Sequence, residues 1–118
     1  MPHKRRLFGD ASEQLAETYL AARGYKILDR QFLTRLGEID LVAEVGNEIV
    51  FVEVKARHTD EFGYPEAAVT KAKLRKIGHT AEIYLRLKGL TERPFRVDVV
   101  AIEYQFDPPR ITVFEAVG

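Results

Sequence analysis

Two strongly β-prone runs, Glu38–Val45 and Glu48–Lys55, are separated by only Gly46-Asn47. Runs rich in Ile, Val and Phe, joined by a Gly-X dipeptide, predict an antiparallel hairpin with a two-residue turn. With that turn, Val45 faces Glu48, Ala43 faces Val50, Leu41 faces Val52, Asp40 faces Glu53 and Glu38 faces Lys55. Leu41, Val50, Val52 and Val54 fall on one face, Val42 and Phe51 on the other. A strand pair that is apolar on both faces must be covered on both faces, so the rest of the chain has to supply two layers.

Helical periodicity supplies them. Leu15, Ala16, Tyr19 and Leu20 make an apolar stripe on a first helix that ends near Arg23-Gly24, with Asp10 as its expected N-cap and Glu13 completing a capping box. Thr70, Leu74, Ile77, Ala81, Tyr84 and Leu85 make a second stripe, predicting a helix over 66–88 that stops at Gly89. Tyr25–Leu33, Phe95–Tyr104 and Ile111–Ala116 read as further strands, with Arg35-Leu36-Gly37 and Asp107-Pro108-Pro109 as turns and the polar stretch Ala56–Pro65 as a loop. The order α-β-β-β-α-β-β predicts one α/β domain spanning 1–118, with a mixed central sheet flanked by helices and residues 1–9 as a flexible basic arm.

Composition narrows the chemistry. The chain has no cysteine, and His3, His58 and His79 show no ligand spacing, so a metal site would be built from oxygen donors and would favour a hard cation. No apolar run approaches the roughly 18 residues of a bilayer span, and the basic N-terminus lacks the apolar stretch of a signal peptide. A cytoplasmic protein with no membrane partner is the expectation. Net charge is zero, but the charges are segregated. Glu38–Glu66 holds eight acids and two bases, and Lys71–Arg96 holds eight bases and two acids. Acids followed by bases suit a metal site beside a phosphate-binding surface, and equally suit two solvated faces that neutralise each other.

In the hairpin register above, Asp40 and Glu53 would be cross-strand neighbours with Cα atoms roughly 4.5–5.5 Å apart. Ionised carboxylates at that spacing repel unless one keeps a proton or a cation lies between them. Mg²⁺, with Mn²⁺ as its substitute, takes one or two carboxylates plus waters and a substrate phosphate. Lys55, two residues after Glu53 on the same side, adds a positive charge for an anionic transition state. The competing reading is a solvated sheet face with Glu38–Lys55 as a simple ion pair. The apolar flanks argue against it, because acids at the end of a covered strand pair are costly unless used.

Asp40 followed by Glu53-Val54-Lys55 resembles the PD-(D/E)xK nuclease signature. The chain as a whole resembles the YraN family, small proteins of the restriction-endonuclease-like class related to archaeal Holliday junction resolvases. The resemblance rests on Glu13-Gln14-Leu15-Ala16, Tyr19-Leu20, Gly24-Tyr25, Gly37-Glu38-Ile39-Asp40-Leu41, Phe51–Lys55, Phe62-Gly63, Ala68-Val69, Lys73 and Arg96–Val100. It implies Asp40 and Glu53 as metal ligands, Lys55 as the catalytic lysine and Glu13 as a helix-borne acid at the same site. Ser12 stands where the family often has Gly, and Leu74 where it often has Gln.

Lys71, Lys73, Arg75 and Arg86 are the candidate nucleic-acid contacts, with Lys4, Arg5 and Arg6 as a further phosphate-binding arm. Lys73 flanks the apolar stripe and reads either as reaching the acid site or as a snorkelling surface lysine. Gln31 is a candidate hydrogen-bond donor near the site. The function expected is a metal-dependent endonuclease acting on DNA, branched DNA included, with a second copy of the chain as an open partner. The alternatives are a nucleic-acid-binding module that keeps the fold without the chemistry, and a protein-interaction scaffold.

Overall fold

The computed structural model describes residues 4–58 and 69–118, with the backbone alone for residues 4–9. The elements are α1 (Lys4–Ala22), β1 (Lys26–Thr34), β2 (Gly37–Val45), β3 (Glu48–Arg57), α2 (Lys71–Leu87), β4 (Phe95–Glu103) and β5 (Arg110–Phe114). This is the α-β-β-β-α-β-β layout of the restriction-endonuclease-like class. The five strands form one sheet in the order β1-β2-β3-β4-β5. All pairs are antiparallel except β3 with β4. That parallel pair is possible because the connection through α2 is long enough to cross over the sheet.

β3 is the reason for the two-layer cover. Ile49, Val50, Phe51 and Val52 are all buried, so successive side chains need apolar partners on opposite faces. On one face Leu41, Ala43, Val50, Val52, Val100 and Ile102 pack with Ala16 and Leu20 of α1. On the other, Ile39, Val42, Ile49 and Phe51 pack with Ile77, Ala81, Tyr84 and Leu85 of α2. Phe51 has no exposed surface and meets Tyr84 and Phe95 edge to face, with ring centroids 5.7 Å away in both cases. Burial of such a side chain stabilises the fold by roughly 1.5–3 kcal/mol.

The register of the hairpin is the expected one from Val45↔Glu48 to Leu41↔Val52, and Gly46 takes the left-handed φ of +57° that the tight turn requires. Both helix starts differ from expectation. α1 begins at Lys4, so Asp10 lies inside it and does not cap it, and the backbone of Lys4, Arg5 and Arg6 belongs to the helix rather than to a free arm. The carboxylate of Asp10 accepts instead from the Gln31 amide at 2.9 Å, a tertiary partner that the local pattern could not reveal. α2 begins at Lys71, with Thr70 as its N-cap: the Thr70 hydroxyl accepts from the backbone N–H of Lys73 at 3.2 Å. Thr70 therefore leaves the apolar stripe, and buried Thr80 joins that side of the helix. The expected start near Glu66, and the Phe62-Gly63 and Ala68 positions, lie outside the described residues.

On β4, in register with Val52, Asp98 is fully buried and fully compensated. It accepts from Tyr25 Oη at 2.8 Å, Arg96 Nε at 3.0 Å and the Ala116 N–H at 2.9 Å. A buried carboxylate with this many donors ties the C-terminal segment to β4 and needs no catalytic explanation.

Candidate active site

The β2–β3 ladder stops at Leu41↔Val52, one step before the carboxylates would face each other. The alternation of β2 breaks there: Ile39 and Val42 both pack toward α2, whereas Leu41 and Ala43 pack toward α1. β2 thus parts from β3 at Asp40, while β3 continues its parallel ladder with β4 through Glu53↔Val99 and Lys55↔Ala101. The Val54 N–H is left to the Asp40 carboxylate, which accepts it through Oδ2 at 2.7 Å. Direct cross-strand pairing of Asp40 with Glu53 and of Glu38 with Lys55 is therefore corrected. Glu38 is exposed, and the carboxylate beside Lys55 is that of Glu53.

The splayed strands still bring the expected residues together. Glu13 of α1, Asp40 of β2, and Glu53, Val54 and Lys55 of β3 line one open cleft of about 300 Å³. Asp40 and Glu53 are 8% and 7% exposed. Burial, and then the neighbouring charge of Glu53, push Asp40 up to about 7, against the pull of the Val54 N–H. Burial also raises Glu13, whose Oε1 is buried without a hydrogen-bond partner among the described residues. Gln31 opposes that rise from β1, where it takes a left-handed φ of 50° that is unusual for its residue type. Gln31 is the candidate donor expected near the site, and its side-chain amide donates to Asp10 beside the cleft; its positive φ was not legible in the sequence.

Two lysines meet on Glu53. Lys73 Nζ lies 2.7 Å from Glu53 Oε1, and Lys55 Nζ lies 3.5 Å from the same oxygen. Burial and then contact with Lys73 lower the Lys55 ammonium. Lys73 is penalised by burial, but the Glu53 carboxylate more than offsets that and leaves it raised. Lys73, read from sequence as a phosphate contact, thus belongs to the cleft.

The other basic candidates do not join it. Lys71, Arg75 and Arg86 are exposed on α2 and form no ion pair among the described residues. Arg86 is 13 residues beyond Lys73, about 20 Å along the helix. A second cleft of about 570 Å³ adjoins the first, shares Glu13 with it, and is bounded by Asp10, Glu17, Arg30 and Gln31. Arg30 and Glu17 close one side as a bidentate pair at 2.6 Å.

The donor set fits a hard divalent cation in kind. It consists of carboxylate oxygens, one of them buried with no donor among the described residues, and burial and the Glu53 charge favour the protonated form of Asp40. Among the described residues no group of three or more His, Cys, Asp or Glu side chains is placed to hold a metal ion by itself, so a cation here would rest on one or two carboxylates. No helix among the described residues is long and apolar enough to cross a membrane. The family-replacing Ser12 is buried and shares a hydrogen bond with Tyr104 Oη at 2.9 Å, which anchors α1 beside the cleft.

Comparison with known proteins places the chain in one family. A UPF0102 protein of Vibrio campbellii is 46% identical over 100 residues, covering 83% of this chain and 82% of the relative. One of Geobacter sulfurreducens is 44% identical over 110 residues, covering 92% and 86%. One of Symbiobacterium thermophilum is 46% identical over 98 residues, covering 83% of each. With a family model matching residues 12–102, a span that holds Glu13, Asp40, Glu53, Lys55 and Lys73, this chain belongs to the uncharacterised protein family UPF0102.

Proposed function

We propose that this protein is a metal-dependent nuclease that hydrolyses phosphodiester bonds in DNA, four-way junctions and other branched forms included. The observation that carries the reading is the convergence of Asp40, Glu53 and Lys55 in one cleft with the unpartnered Glu13 oxygen. Buried acids that repel each other cost stability, and a cation-dependent reaction is what such a cost supports.

Asp40 and Glu53 would hold Mg²⁺ or Mn²⁺, with Glu13 as the further acid. A divalent cation in that position supplies charge neutralisation at the phosphate and activation of the attacking water. The chain does the rest. The Val54 N–H fixes the orientation of the Asp40 carboxylate. Lys55, held on the central strand beside Glu53, directs its ammonium at the phosphate oxygens as negative charge builds during attack on phosphorus. The P–O bond opposite the entering oxygen breaks, and the leaving oxygen takes up a proton.

The test is incubation of the full chain with linear, flapped and four-way-junction DNA in Mg²⁺ or Mn²⁺. Cleavage that EDTA abolishes is the expected result. Tight binding with no cleavage of any substrate would instead make this a binding module built on the nuclease fold.

The exposed α2 cations give a second expectation. Replacing Lys71, Arg75 and Arg86 together should weaken DNA binding and make the slope of log K against log salt shallower by about 2–3, since each phosphate contact contributes roughly 0.9. An unaltered slope in fluorescence anisotropy would move the binding surface off α2.

A further inference from the structure

Lys73 occupies a position that its own helix disfavours. It lies in the first turn of α2, which contains no acidic residue. The N-terminal end of a helix carries partial positive charge, so an ammonium there needs an opposing anion. Glu53 is that anion, at 2.7 Å. Yet Lys55 approaches the same oxygen at 3.5 Å, while among the described residues Asp40 accepts only a backbone N–H and Glu13 Oε1 has no partner. Among those residues both ammonium groups crowd on Glu53, and neither other acid of the cleft forms an ion pair.

We propose that Lys73 is an exchangeable counter-ion, seated on Glu53 when the divalent metal is absent and displaced when the metal binds between Asp40 and Glu53. The inference rests on the nuclease reading for the existence of that metal site. The two lysines differ in which can leave. Lys55 is anchored in a central strand paired through Lys55↔Ala101, whereas Lys73 reaches in from a helix surface with its side chain 37% exposed. Its four-carbon stem can swing toward solvent and keep the ammonium hydrated. A divalent ion on the carboxylates would make a second ammonium on Glu53 repulsive, so metal affinity is reduced by the work of displacing Lys73. The released ammonium then stands at the mouth of the cleft, available to an anionic ligand.

Calorimetric titration of the full chain with Mn²⁺, without nucleic acid, tests the exchange. Lys73→Met and Lys73→Gln should each bind Mn²⁺ about tenfold more tightly than wild type, because the competing cation is gone. Lys76→Met, which removes the same charge one turn further along α2, should stay within about twofold because exposed charges are screened. Unchanged or weaker binding in both Lys73 variants overturns the exchange while leaving the metal site standing. Equal tightening in Lys76→Met overturns it too, by showing a general charge effect. Absence of Mn²⁺ binding in wild type and all variants removes the metal site itself, and the nuclease reading with it.

Discussion

Lys55→Ala is expected to cleave DNA about 100- to 1000-fold more slowly than wild type while binding Mn²⁺ and DNA nearly as well, the loss typical of removing one positioned charge from a transition state. The expectation follows from placement. Lys55 sits on the central strand, its ammonium is lowered by burial, and its nearest carboxylate is the proposed ligand Glu53. Asp40→Ala and Glu53→Ala should lose both metal and cleavage. The double variant should fall little below either single one, since the two acids serve one ion. Single-turnover cleavage, paired with Mn²⁺ titration of each variant, separates these effects. Wild-type rates in Lys55→Ala and Asp40→Ala alike would trace the activity to a contaminating nuclease and remove the assignment.

The second large effect is on stability against pH. Asp40 is raised from the ordinary aspartate range to about 7 by burial and by Glu53. Between about pH 4 and 7 the folded protein keeps a proton that the unfolded chain has lost. Stability without metal should therefore decline as pH rises through that window and stay low above it. Asp40→Asn is neutral throughout and can still accept the Val54 N–H. At pH 8 in EDTA it should exceed wild type by on the order of 2 kcal/mol, or about 8 °C in melting temperature, and the gap should close toward pH 4. Saturating Mn²⁺ should reverse the order, since a ligand at 100 times its Kd adds about 2.7 kcal/mol to wild type alone. Melting curves for both proteins that run parallel from pH 4 to 8, with no response to Mn²⁺, would mean that Asp40 is an ordinary solvated acid.

The elements most legible in the sequence are those whose determinants are local. The β2–β3 hairpin is specified by Gly46-Asn47 and by alternating apolar residues, and its register follows for as long as the ladder lasts. The α2 stripe of Ile77, Ala81, Tyr84 and Leu85 is a period-3.6 pattern on one segment, and it is the buried face of the helix. The spacing of Asp40 from Glu53-Val54-Lys55 also held enough to place all three in one cleft.

What remained hidden depends on segments distant in sequence. The Asp10 cap fails because the helix begins at Lys4, and the Asp10 carboxylate instead meets Gln31, 21 residues away. Lys73 reads from sequence either as a surface base or as a lysine that reaches the site, and only folding, which brings the first turn of α2 against β3, decides for the site. Even the central pair of acids was right in company and wrong in geometry: a regular hairpin would set them side by side, but β4 holds β3 straight while β2 turns away at Asp40. By itself, then, the sequence determined the order of the elements, the hairpin register and the nearness of Asp40, Glu53 and Lys55, because periodicity and turn chemistry act within a few residues, while Glu13 was pointed to by the family resemblance. Only the tertiary structure decided how far apart the strands stand at Asp40, which cation sits on Glu53 and which oxygen of Glu13 goes without a donor, because those outcomes depend on which distant groups compete for one buried space.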